Sequence, residues 1–287
     1  MSLDELRSLL TRHVRPDWTT AIDGVLISKV DRPDPPEPSM TGTTLAVIAQ
    51  GAKRLALGDR VYEYRAGQYL VASVDLPVTG QFLQDAPDEP ALGFGLTLEP
   101  AAVAEVLLQA GPGDSARVPS GIVVSDAPPA LLDAVVRLLR LLDEPRDRPV
   151  LAPLIKREIL WRLITSEQGA TVRQLGLADS GLSHVSRAVR WIREHYAQPF
   201  RVEDVARLSG MSVSAFYRNF QAVTTMSPIQ FQKQIRLQEA RLLLATHLGD
   251  VTGVGRRVGY DNPSQFSREY RRQFGAAPSQ DAARLRA

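Results

Sequence analysis

The chain has 287 residues, 44% of them hydrophobic and 23% charged, with a formal net charge of +2 and no cysteine. That length exceeds one ordinary core, so two domains are expected. The lack of cysteine excludes disulfides, thiolate catalysis and cysteine zinc sites, and no apolar run approaches the roughly eighteen residues needed to span a bilayer.

The opening MSLDELRSLLTRH has acid near its start and lacks the basic-then-apolar order of a secretory signal, so a cytoplasmic location with no membrane partner is expected. The small net charge hides a division. From His184 onward there are 16 Lys+Arg against 8 Asp+Glu, a net of +8, while residues 1–183 hold 18 against 24, a net of −6. After Lys53 the only lysines are Lys156 and Lys233, so the basic part is almost all arginine, which suits bidentate contacts to phosphate and guanine.

In chain order, Leu3 to Leu10 predicts a short amphipathic helix, and the proline-rich stretch Asp31 to Pro38 excludes helix. Thr44 to Gln50 reads as a strand. Lys53 to Tyr64 (KRLALGDRVYEY) alternates around Gly58-Asp59, a pair suited to a two-residue hairpin turn. Gln68 to Val74 and Phe94 to Leu98 add short strands, and such a series predicts a sandwich or barrel. From Leu131 the period becomes helical through Leu132, Val135, Leu138, Leu139 and Leu142. A second helix, Leu151 to Thr165, carries Leu154, Ile155, Ile159, Leu160 and Leu163. These form a helical hairpin after the barrel, on which Val136 and Leu141 either offer a second apolar face for a partner subunit or belong to helices that simply cover the barrel. Ser166 to Ser183 is small, polar and glycine-containing, and reads as a connection.

Two helix-turn-helix patterns follow. In the first, Val202, Val205, Ala206 and Leu208 form the inner face of a scaffold helix, Gly210 supplies a left-handed turn and Ser212 caps the next helix. Val213, Phe216 and Phe220 face its core, which leaves Ser214, Tyr217 and Arg218 for a major groove. In the second, Val251, Val254 and Val258 face inward, Gly259 turns the chain and Asn262-Pro263-Ser264-Gln265 is a strong helix start. Phe266, Tyr270 and Phe274 anchor that helix, which leaves Ser264, Gln265, Ser267, Arg268, Arg271 and Arg272 for base edges and phosphates. Between the units, Ser227-Pro228-Ile229-Gln230 opens a helix to about Ala245, with Ile235, Leu237, Leu242, Leu243 and Leu244 as buried positions. Its length of about 27 Å can hold two readers roughly one DNA turn, about 34 Å, apart.

The strings MSVSAFYRNF, SPIQFQKQIRLQEAR and VGYDNPSQFSREYRRQFGAAP make the segment His184 to Arg284 resemble the DNA-binding domain of the AraC/XylS family. The resemblance implies base or backbone contacts by Ser214, Tyr217 and Arg218 in the first reader, and by Ser264, Ser267 and Arg268 in the second. This chain has Gly255, with Gly253 two residues earlier, where that family usually has alanine. Each glycine costs a helix about 1 kcal/mol relative to alanine, so a weak second scaffold helix is expected. The stretches PSMTGTTLAVIAQGAKRLALGDRVYEYRAGQYLVASVDLPVTGQ and LTLEPAAVAEVL resemble the cupin-like N-terminal domain of AraC-type regulators.

The expected architecture is therefore α+β in two domains. A cupin-like regulatory domain with its helical hairpin covers 1–168, a linker covers 169–183, and an all-α double helix-turn-helix domain covers 184–287. The histidines are His13, His184, His195 and His247, none of them in the predicted barrel, and no serine there sits in a G-x-S-x-G setting. Asp59, Glu63 and Asp75 read as turn and solvent-face residues. No enzyme, metal or cofactor is expected. Tyr62, Tyr64 and Tyr69 are the candidates for lining a small-molecule pocket. The function expected is sequence-specific transcription regulation, as an activator or a repressor. The partners expected are double-stranded DNA, RNA polymerase, a small-molecule effector and a second copy of the chain.

Overall fold

The computed structural model describes residues 3–32, 35–84, 86, 89–110, 120–246 and 250–285. Pro33 and Asp34 of the proline-rich stretch lie outside them, as does His247. The chain divides into two compact units, Met1–His184 with Ala222–Thr225, and Val185–Gln221 with Met226–Ala287.

The first unit opens with helix α1 (Leu3–His13), whose Leu6, Leu9 and Leu10 are buried. Among the described residues nine strands follow: β1 (Val25–Val30), β2 (Glu37–Met40), β3 (Thr44–Gln50), β4 (Ala52–Leu57), β5 (Arg60–Arg65), β6 (Gln68–Ala72), β7 (Pro77–Leu83), β8 (Ala91–Thr97) and, after helix α2 (Pro100–Ala110), β9 (Ile122–Asp126). The expected barrel takes the form of two antiparallel sheets rather than a closed ring. One has the order β1-β8-β3-β6-β9 and the other β2-β7-β4-β5. The predicted hairpin is present: Leu57 pairs with Arg60, which leaves Gly58 and Asp59 as the turn, and Gly58 has φ +60°. Side chains alternate across each strand, so Leu45 and Val47 of β3, and Leu55 and Leu57 of β4, are buried.

The helical hairpin consists of α3 (Pro129–Arg140) and α4 (Arg148–Ile164). Val136 and Leu141, read from the sequence as a face for a partner or as cover for the barrel, are buried within the fold. Helix α1 packs against α3, and Glu5 accepts a hydrogen bond of 2.7 Å from Arg140. The apolar residues left exposed on the hairpin lie instead on α4: Val150, Leu151, Leu154 and Trp161. The stretch read as a connection carries a helix, α5 (Gly169–Gly176), whose Val172 and Leu175 are buried as it packs against α2 and α4. Among the described residues no helix is long and apolar enough to cross a membrane.

The second unit is helical, comprising α6 (Gly181–Glu194), which begins just before it, then α7 (Val202–Leu208), α8 (Val213–Thr224), α9 (Pro228–Thr246), α10 (Val251–Arg257), α11 (Pro263–Phe274) and α12 (Pro278–Leu285). Helix α9 starts with a reciprocal capping box, in which the Gln230 amide nitrogen donates to the Ser227 hydroxyl at 3.2 Å and the Ser227 amide donates to Gln230 Oε1 at 2.9 Å. Its 19 residues give a rod of about 28 Å. Ile235, Leu237 and Leu244 are buried, whereas Leu242 is exposed. Phe231 near its start meets Phe220 of α8 edge-on at 5.4 Å, and Leu237, Ala240 and Leu244 join a cluster with Val254, Val258, Tyr260, Phe266 and Tyr270.

Candidate nucleic-acid interface

Each helix-turn-helix unit is closed by the same backbone device. After α7, the Gly210 amide bonds to the Arg207 carbonyl at 3.0 Å and the Met211 amide to the Ala206 carbonyl at 2.9 Å, with Gly210 at φ +77°. After α10, the Gly259 amide bonds to Arg256 at 3.0 Å and the Tyr260 amide to Gly255 at 2.9 Å, with Gly259 at φ +89°. This pair of bonds, around a residue that must be left-handed, is the Schellman motif, and it turns the chain sharply between scaffold and reader. The second turn is one residue longer, which brings Asn262 to the cap position. Its Oδ1 accepts from the amides of Ser264 at 2.9 Å and Gln265 at 3.1 Å. In the first unit the Ser212 hydroxyl accepts from the Ala215 amide at 3.3 Å.

On α8, Phe216 and Phe220 are fully buried, and Ser214, Tyr217 and Arg218 are exposed. Val213, read as facing the core, is exposed, and so is Leu208 at the end of α7. Both sit at the end of a short helix, where the inner stripe runs out of neighbours. On α11, Phe266 and Tyr270 are buried, Phe274 packs on Tyr270 at 4.6 Å, and Gly275 ends the helix at φ +75°. Ser264, Gln265, Arg268, Arg271 and Arg272 are exposed and Ser267 is half-buried. The structure thus places the named candidates on the outer faces of α8 and α11. Gln265 differs from the others in that its side-chain amide donates to Glu269 at 3.3 Å.

Arg218, Arg268, Arg271 and Arg272 make no ion pair among the described residues. Arg54, Arg137 and Arg140 of the first unit are all paired with carboxylates. A surface guanidinium without a local carboxylate keeps its charge and its fork of donors for an outside anion.

Glycine in α10 has a reason that sequence did not supply. A Cβ on Gly255 would stand 3.0 Å from the Phe266 ring, so the glycine lets scaffold and reader approach closely. Gly253 lies beneath the Asp250 carboxylate, which caps α10 by accepting from the Gly253 amide at 2.7 Å.

Two buried carboxylates fasten α11 and α12 to α9. Glu269 accepts from Lys233 Nζ at 2.9 Å and from the Tyr260 hydroxyl at 2.8 Å, and Asp281 accepts from Arg241 at 2.9 Å and from the Tyr270 hydroxyl at 2.8 Å. Burial disfavours the charge on Glu269, but the bonds from Lys233, Tyr260 and Gln265 outweigh it and hold the carboxyl below its usual range. Burial, and then the hydrogen bond to Glu269, pushes the Tyr260 phenol well up. Sequence reading missed both carboxylates. The available signal was a glutamate on the inward stripe of α11, between Phe266 and Tyr270.

In the first unit a cavity of about 230 Å³ lies between the two sheets, lined by Leu55, Tyr64, Leu70, Val78, Phe82 and Phe94 among others. Of the three tyrosines proposed as a pocket, only Tyr64 reaches it, and it is buried there. The Tyr62 hydroxyl lies 3.5 Å from that of Ser120, and the Tyr69 hydroxyl 3.2 Å from that of Ser166, in separate places. Lys53 also lines the cavity, with Nζ 4.5 Å from the centre of the Phe82 ring, and sequence reading had not singled it out. Glu63 is paired with Arg54 and Arg65, and Asp75 accepts from the Gly42 amide. Among the described residues no three His, Asp or Glu side chains cluster as a metal site.

Comparison with known proteins gives concordant matches. Residues 21–171 match the model of the AraC-type transcriptional regulator N-terminus, and residues 205–284 match a helix-turn-helix domain. The HTH-type transcriptional regulator ExsA of Pseudomonas aeruginosa is 29% identical over 232 residues, covering 78% of this chain and 77% of ExsA. The virulence regulon transcriptional activator VirF of Yersinia enterocolitica is 28% identical over 162 residues, covering 56% of this chain and 59% of VirF. Among solved structures, Vibrio cholerae ToxT with bound unsaturated fatty acid has a TM-score of 0.54 at 11% identity, covering 90% of this chain and 94% of that one. ToxT bound to (E)-4-(8-methylnaphthalen-1-yl)but-3-enoic acid gives 0.55 at 10% identity, covering 91% and 98%. These two show a shared fold.

Proposed function

The chain belongs to the AraC family of DNA-binding transcription regulators, and from that premise we propose that it reads two adjacent stretches of duplex DNA through α8 and α11. Ser214, Tyr217 and Arg218 contact the first stretch, and Ser264, Gln265, Ser267, Arg268, Arg271 and Arg272 the second. The observation that carries this assignment is the pair of reader helices, each set by a Schellman turn before it, whose outer faces hold four arginines that make no ion pair among the described residues. Arginine forks address guanine edges and phosphates, while the apolar faces of both readers are consumed by the core.

The regulatory part is residues 1–168 and the DNA-binding part 184–287, joined through the stretch that contains α5. A small molecule in the inter-sheet cavity controls the protein by favouring one of its states over another. The ligand-bound ToxT structures, which share the fold, and the cavity itself support this reading. The output is activation through RNA polymerase, in the cytoplasm and without enzymatic turnover, in keeping with relatives named as activators. The exposed apolar residues of α4 support a homodimer.

Sites selected from random DNA by the full chain, followed by affinity measurements on Arg218→Ala and Arg268→Ala, test the assignment. Each substitution is expected to weaken specific binding by about 1–3 kcal/mol, with the melting temperature unchanged. Unchanged affinity in both variants refutes it.

A further inference from the structure

Along β4 the inward positions are Lys53, Leu55 and Leu57, so one of three core-facing residues is an ammonium. Its register neighbours are Tyr64 on β5 and Phe82 on β7, and both line the same cavity. The carboxylate nearest in the sheet, Glu63, faces the other way and is taken by Arg54 and Arg65. Among the described residues no Asp or Glu lines the cavity, and the only other titratable group there is Tyr64, which burial keeps neutral. Lys53 Nζ has no hydrogen-bond or carboxylate partner among the described residues, and its one favourable contact is the face of Phe82. Burial pushes its pKa down to about 8.

The other polar groups of the chamber are largely committed. The hydroxyls of Ser28, Thr41 and Thr44 donate to the carbonyls of Gly93, Val74 and Leu96. A phosphate, with close to two negative charges and three acceptor oxygens, would find one cation and too few donors. A single carboxylate would find its counter-ion, surrounded by apolar walls. The volume of about 230 Å³ lies below the roughly 300–1,000 Å³ of most small-molecule sites, which limits the apolar body to one ring or a short chain.

We propose that this cavity takes a compact apolar monocarboxylate, with Lys53 as the counter-ion of its carboxylate and Phe82 and Tyr64 as part of the apolar wall. The proposal deepens the small-molecule control described above and rests on it. Pairing with an anion raises the lysine pKa above its value in the empty chamber. The carboxylate affinity is therefore full between about pH 5, below which the ligand's own carboxyl takes up a proton, and about pH 8, and is lost as pH rises through the lysine's value in the complex.

The test is calorimetric titration of the full chain with matched acid and amide pairs: butanoic to octanoic acids and phenylacetic acid, each against its primary amide. At pH 7 at least one acid is expected to bind ten times or more tighter than its amide. Lys53→Met should abolish that preference while leaving the affinity for the amide in place. Since methionine removes a buried charge, this variant should fold at least as stably as the native chain, and thermal melting checks that it does. Equal binding of acid and amide, no binding by any pair, or a preference that survives in Lys53→Met overturns the proposal. Affinity for a DNA site selected from random sequence, measured with and without the acid, separates the two readings. Lys53-dependent acid binding that leaves DNA affinity unchanged supports the site and overturns its role in control.

Discussion

Replacing Glu269 with glutamine preserves the side chain's shape and changes only what it can accept. The carboxylate receives Lys233 at 2.9 Å, the Tyr260 hydroxyl at 2.8 Å and the Gln265 amide at 3.3 Å. Glutamine keeps one acceptor oxygen and turns the other into an NH2 group facing donors. A hydrogen bond to a charged group is worth about 1.5–3 kcal/mol, and two of the three here have strong geometry. Lys233 is about a third exposed, so its share is discounted for solvent. The expected loss is about 2–4 kcal/mol, read from urea denaturation of the full chain at pH 7. Acid adds a second readout. Because the folded carboxyl titrates below its ordinary value, its contribution is present above the unfolded carboxylate pKa of about 4.3 and fades as pH falls through the folded value. Stability of the native chain should therefore drop more steeply below about pH 5 than that of Glu269→Gln. A variant within about 0.5 kcal/mol of native at pH 7, with an identical acid limb, would refute the reasoning.

Two further substitutions test the local architecture of the second unit. Asn262→Ala removes an acceptor that serves two amides at the start of α11 and should cost about 1 kcal/mol, while Asn262→Ser should restore most of it, both measured by thermal melting. Gly255→Ala should gain about 1 kcal/mol on helix propensity alone. Its Cβ would stand 3.0 Å from Phe266, so a net loss of stability is expected instead, and a gain in the melt would show that α10 and α11 can separate without cost.

What was legible in the sequence was local. The start of α11 at Asn262-Pro263 and its end at Gly275, the capping box of α9 and the outward positions of both readers depend on residues within one or two turns of each other. The regulatory unit is different, because β1 finds β8 and β6 finds β9 across long stretches of chain that no local pattern specifies. Strands β2 and β7 carry Pro38 and Pro77, which weaken a strand signal, and α5 is short and bounded by Gly169 and Gly176. Apolar period also says which way a residue points without saying what covers it. Leu208, Val213 and Leu242 sit on or near inner stripes and are exposed, while for Val136 and Leu141 the pattern leaves open a partner face or a covering role, and both are buried in a unit where α1 covers α3. Lys53 is the subtlest case. Its inward position follows from alternation with Leu55, but an unfilled space in front of it depends on how two sheets pack.

Helix α9 belongs to the cores at both of its ends, through Phe231 against Phe220 and through Leu237, Ala240 and Leu244 in the cluster around Phe266. It contains neither glycine nor proline beyond Pro228. Such a rod works as a caliper with locked jaws. One base pair inserted between two half-sites moves them about 3.4 Å further apart and rotates one against the other by roughly a tenth of a turn, and the protein has no hinge in α9 to follow that change. Promoters would then be sorted by the distance between their two words as strictly as by the letters within each.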